Sequence, residues 1–144
     1  KVFSTRKFSK ITNQRYMEGD QMTIRRIDMA IHVQEICALN NIKVNYQSMD
    51  DAEPRYWANP RKREIQIRPT KNTGYYVSAL HEIGHIIGDN QDLDRVGQEL
   101  WAWIYAKETA MVWTPTAEKI MRQSMDSYGW KQRDKKIWES HNVC

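Results

Sequence analysis

Residues 79–90 read ALHEIGHIIGDN, and no other stretch restricts the fold as much. Leu80, Ile83, Ile86 and Ile87 recur at helical spacing, and the pattern extends back through Val77. The spacing predicts a helix from about Tyr75 to Ile87, with Val77, Leu80, Gly84 and Ile87 on its core side. Gly88 suits its C-terminal cap. A helix this apolar must be covered by other elements. Gly84 has no side chain, so one of them can approach its backbone closely.

The flanking segments supply the cover. Asp20 can cap a helix from about Met22 to Asn40. Ile24, Ile27 and Ile31 form one apolar row on it, and Met29, Val33, Ile36 and Cys37 another. Residues 42–48, IKVNYQS, alternate as a strand with Ile42, Val44 and Tyr46 on one face. RYWA at 55–58 and EIQIR at 64–68 flank NPRKR, which predicts a hairpin with a basic loop. Ile65 and Ile67 would be buried while Glu64, Gln66 and Arg68 face water. RVGQELWAWIYAKETAMVW reads as one long helix ending before Pro115. TAEKIMRQSMDSYG reads as another, stopped at Gly129. The order is a helix, three short strands and then further helices, an α+β domain. Residues 1–19 read as a basic arm, 20–130 as the single domain, and 131–144 as a tail with room for a last short helix. Trp57, Trp101, Trp103 and Trp113 read as packing residues.

The chemistry lies in the same stretch. His81 and His85 are four apart, so both imidazoles project from one helix face one turn apart, where they can share a metal ion. Zinc accepts imidazole nitrogen at about 2.0–2.1 Å. Glu82 is rotated about 100° from His81, so it misses the ion yet reaches a water beside it. That is the position of a general base. A catalytic zinc commonly takes three protein ligands. Glu99 is the leading third ligand, because on the next helix it shares a face with Ala102, Trp103 and Ala106, and the alanines permit close approach. Asp89, Asp92 and Asp94 remain alternatives.

SALHEIGHIIG followed by QELWAWIYAKETAMVWTP resembles the ImmA/IrrE family of zinc metallopeptidases, especially its small phage and prophage members. REIQIRP and, more loosely, SYGW add to the likeness, which covers roughly residues 22–130. The resemblance implies a minimal zincin-like fold with one zinc ion. It makes His81, His85 and Glu99 the ligands and Glu82 the base. It also implies a protein or peptide substrate, often a DNA-binding repressor, in the cytoplasm of a bacterial host. Trp101 stands where the family often has a second glutamate. An extended substrate would pair with the strand 64–68, near Gln66. Tyr75, Tyr76 and Tyr105 are candidates for stabilising the oxyanion.

Charge and cysteines bound the alternatives. The net charge is +4 and two cysteines are present, Cys37 and Cys144. Nothing suggests a disulfide framework, which favours a reducing cytosol. No run is apolar enough for a membrane span, and the start KVFSTRKFSK has no apolar stretch behind it and no Met, as in a trimmed or processed product. Lys1, Arg6, Lys7, Lys10 and Arg15, with Arg61-Lys62-Arg63, are candidates for nucleic-acid contact. Two other functions therefore stand beside the peptidase: a catalytically idle zinc domain that binds a protein partner, and a basic nucleic-acid-binding protein. His32 reads as a helix-surface residue and His141 as a tail residue.

Overall fold

A computed structural model describes residues 24–88 and 92–141. Among these the chain is α+β: helix α1 (Arg26–Leu39), strands β1 (Lys43–Tyr46), β2 (Trp57–Asn59) and β3 (Glu64–Ile67), then helices α2 (Thr73–Ile87), α3 (Arg95–Thr109), α4 (Pro115–Ser127) and α5 (Gln132–Ser140). The basic arm, Asp20, Asp89 and Cys144 lie outside the described residues. No described helix is long and apolar enough to cross a membrane.

Helix α2 is the centre of the molecule. It contacts α1, β2, β3, α3 and α4. Asn72 caps it by accepting from the Tyr75 amide at 2.9 Å. Gly88 ends it in an extended conformation rather than the left-handed one expected of a terminal glycine. Its closest neighbour is α3, and the contact depends on a glycine. A Cβ at Gly84 would lie 2.8 Å from the carbonyl oxygen of Ala102 and 3.1 Å from its Cα. The expected close approach of the alanine face is present, with Ala102 and Ala106 fully buried.

The sheet order is β1-β3-β2, with β1 parallel and β2 antiparallel to β3. The expected hairpin forms, but the strand expected to receive a substrate is the central one. Both edges of β3 are already paired, so that expectation is corrected. The strand with an open edge beside the histidine helix is β2. Ile65 and Ile67 are buried as expected. Arg68, expected in water, is buried as well. Its guanidinium donates to the Asp51 carbonyl at 2.6 Å and to Gln47 Oε1 at 3.3 Å, tying down the loop that leads to β2.

Several other expectations change. On α1 the row Met29, Val33, Ile36 and Cys37 is buried, whereas Ile27 and Ile31 face out. His32 belongs to the buried row. The Tyr76 hydroxyl lies 2.6 Å from His32 Nδ1 and accepts from the Met111 amide at 3.0 Å. Met111 follows the end of α3, which stops at Thr109 instead of running to Trp113. Capture of its amide by Tyr76, with Thr114 capping α4 through the Ala117 amide, uses residues 110–114 as a corner. Helix α5 is part of the domain rather than a tail, since Trp138 is fully buried and packs near Trp113. His141 pairs with Glu108 at 3.0 Å.

Candidate metal centre

Two helices bring three side chains to one point. His81 and His85 come from α2, and Glu99 comes from one turn inside α3. His81 Nε2 lies 3.0 Å from Glu99 Oε1, and His85 Nε2 lies 3.2 Å from Glu99 Oε2. One donor atom from each of the three falls within 4.8 Å of the others, so the group can hold a metal ion. Two imidazole nitrogens and a carboxylate oxygen are a donor set that zinc accepts. Two imidazoles and one carboxylate leave one tetrahedral position for water or substrate.

Of the alternative third ligands, Asp89 lies outside the described residues and the other two do not join. Asp94 caps α3 by accepting from the Gly97 amide at 2.8 Å, and Asp92 is exposed. Of the described candidates for third ligand, Glu99 is the one buried against the histidines. Burial raises its proton affinity, but the hydrogen bonds from His81 and His85 outweigh burial and hold its carboxyl well below the usual range. Arg95, one turn earlier on α3, adds a contact of 3.3 Å from Nε to Glu99 Oε2.

Glu82 stands apart from this group as the sequence spacing required. It is buried and lines the same cleft. Burial pushes its carboxyl above the ordinary glutamate range, opposed by the positive ends of His81 and His85. A carboxylate with raised proton affinity is a better proton acceptor than a free one.

The cleft holds about 270 Å³, and β2 with Pro60 forms the wall opposite α2. Trp57 and Ala58 line it from that edge strand, so Trp57, expected as a packing residue, is instead an exposed residue of the cleft. Arg95 and Tyr128 close the far side. Tyr128 is delivered by the C-cap of α4, where Gly129 takes φ +71 and turns the chain.

The expected oxyanion candidates fall elsewhere. Tyr76 is fully buried, with its hydroxyl held by His32 and Met111. Tyr105 packs at the α2–α3 contact beside Gly84. Tyr75 lines a neighbouring cavity of about 700 Å³ with Tyr56, Ser78 and Ile120. Gln66 donates to the Arg55 carbonyl at 2.8 Å on the outer side of the sheet. The basic cluster is partly structural too, because Arg63 donates to the Asn40 carbonyl at 2.7 Å and steadies the end of α1.

Sequence reasoning missed Trp103, Arg95 and Tyr128 at this site. The spacing of Arg95 and Glu99 on one helix face was a usable signal for the second. Tyr128 has only the loose SYGW likeness, since it reaches the site through tertiary packing. No family model, curated protein or solved structure matches the chain, so a functional assignment rests on the site itself.

Proposed function

We propose that this protein is a zinc-dependent endopeptidase of the HExxH type, acting on a protein or peptide. The observation that carries the reading is the division of labour among four side chains, of which His81, Glu82 and Glu99 are buried and His85 is half-buried. Three converge on one point, and the fourth, Glu82, shares the cleft without belonging to them. A closed structural metal site has no use for a buried carboxylate beside it.

His81, His85 and Glu99 would hold the ion. Zinc bound there supplies Lewis acidity and brings the pKa of an associated water to about 7. The protein's own residues do the rest. Glu82 takes one proton from the attacking water as its oxygen bonds to the substrate carbonyl carbon. The carbon–nitrogen bond then breaks, and Glu82 passes that proton to the departing amine. Microscopically the carboxylate ends as it began.

The substrate would lie extended along the open edge of β2, pairing backbone to backbone. Tyr75, Ser78 and Glu82 follow one another on one face of α2, so the cleft leads along the helix into the adjoining cavity. Its carbon-rich walls suit a large apolar side chain. The resemblance to ImmA/IrrE peptidases supports the reading and points to a DNA-binding repressor as the protein cut.

The test joins metal analysis to cleavage. One zinc per chain in the parent and none in His81→Ala is expected. A mixed peptide library should be cut by the zinc-loaded parent and left intact by Glu82→Gln. Equal cleavage by Glu82→Gln would overturn the assignment.

A further inference from the structure

We infer that Tyr128 is the group that donates a hydrogen bond to the substrate carbonyl oxygen as it becomes negative, with Arg95 holding and polarising it. The inference rests on the peptidase reading and assigns a further catalytic residue to the same site.

The first ground is placement. Tyr128 lines the cleft that contains His81, Glu82, His85 and Glu99. Arg95 ties its hydroxyl to the metal-ligating carboxylate. The guanidinium reaches Glu99 Oε2 from Nε at 3.3 Å and the Tyr128 hydroxyl from Nη2 at 3.3 Å. One guanidinium width therefore separates that hydroxyl from the carboxylate. The guanidinium carbon also sits 5.2 Å from the centre of the Tyr128 ring, so ring and hydroxyl are both held.

The second ground is hydrogen-bond direction. Arginine only donates. The Tyr128 oxygen must therefore accept from Arg95, which leaves its own O–H to donate. A hydroxyl that accepts from a cation is a stronger donor, because the chain of hydrogen bonds polarises it. An oxyanion forming within the cleft is a fitting acceptor.

The third ground is that several other donors lining the cleft are enclosed or already engaged. Tyr56 also lines the cleft, but its hydroxyl is sealed from solvent. Gln98 directs its amide to the Leu93 carbonyl at 3.0 Å. The histidines have their Nε2 atoms turned to Glu99.

The experiment compares Tyr128→Phe with the parent on the best-cleaved peptide of the mixed library. The variant should keep one zinc per chain and the parental Tm. Its kcat should fall on the order of 10²–10³-fold, the usual loss for one oxyanion donor, with KM within about threefold. A phosphinic analogue of that peptide, whose tetrahedral anion imitates the developing charge, should bind the variant more weakly by the same factor. The cleavage product should bind both alike. Arg95→Gln should give a smaller loss, and the double variant should be no worse than Tyr128→Phe alone. Unchanged kcat and phosphinate affinity would overturn the assignment. Loss of zinc or of folding in Tyr128→Phe would overturn it too, by making the residue structural. A zinc-loaded parent that cleaves nothing would instead end the peptidase reading, and this inference with it.

Discussion

Trp103 lies flat on His81, with ring centroids 4.1 Å apart and planes 26° from parallel. A metal-binding histidine usually has its second nitrogen held by a carboxylate or carbonyl, which fixes the ring. His81 Nδ1 is buried and has no such partner among the described residues. Stacking takes over that role. Trp103 is itself buried, with its indole N–H 3.3 Å from the Ser124 hydroxyl of α4. Helix α4 therefore braces His81, a candidate ligand on α2, through a side chain of α3. Trp103→Leu should weaken zinc binding roughly 10–100-fold, as loss of an orienting partner commonly does. Trp103→Phe, which keeps an aromatic face, should recover most of it. Competition with a chelating dye measures both, and parental affinity in a folded Trp103→Leu would refute the role.

The Gly84–Ala102 contact sets the distance between ligands on different helices. Gly84→Ala places a methyl 2.8 Å from a backbone oxygen that cannot step aside alone. The helices must part, at a cost of about 1–3 kcal/mol by analogy with overpacked cores. The same movement pulls Glu99 from the histidines. Thermal melts with and without zinc should show a lower Tm and a smaller gain on loading. A variant with parental Tm would show that the two helices yield freely.

Zinc should stabilise the fold by mass action, since the three ligands converge only in the native state. At free zinc one hundred times Kd, the gain is about 2.7 kcal/mol. Glu99→Gln should lose most of that gain, and chelation should reverse it in the parent. Calorimetry across a zinc series reads the effect.

Acid should weaken the metal-free protein through His32. Its pKa is pushed down by burial from 6.5 to about 4. The unfolded chain therefore takes up the proton first, and stability falls as pH drops through that interval. The full loss is on the order of 3 kcal/mol, and above pH 6.5 the group contributes no slope. His32→Gln should start lower at neutral pH, because the buried ring and its close contact with the Tyr76 hydroxyl are lost, yet decline less between pH 6.5 and 4. Urea unfolding at stepped pH compares the two, and parallel curves would exclude His32 as the cause.

Helix α5 should be indispensable. Trp138 is fully buried, its indole N–H donates to Glu118 at 3.0 Å, and Lys107 lies 5.0 Å from its ring centre. Trp138→Ala should cost about 3–5 kcal/mol, the range for a buried aromatic. Chemical denaturation gives the value, and a cost below about 1 kcal/mol would return the segment to the status of a tail.

Much of the site was legible because helical spacing is a local property. His81, Glu82 and His85 needed only their positions along one helix. Glu99 needed the alanine face that follows it. The α+β order of elements could be read for the same reason. Strand order could not. Alternation tells which side of a strand is buried and says nothing about whether its edges are paired, so it does not distinguish β3 from an edge strand. His32 shares the spacing of Met29, Val33 and Ile36, and that position decides its burial in spite of its polarity. Tyr128 and Trp103 act through contacts between helices, and no window of sequence contains both partners.

Helix α2 has buried residues on every side: Tyr76, Val77, Ala79, Leu80, Ile83, Gly84 and Ile86 pack, while His81 and Glu82 are enclosed with them. Most surface helices have one face that tolerates change. This one has almost none, since a substitution meets either the core or the chemistry. The protein can therefore diverge most freely around this rod, in its loops and outer helices, and on the rod itself chiefly at half-buried positions such as Tyr75 and Ser78, which line the neighbouring cavity.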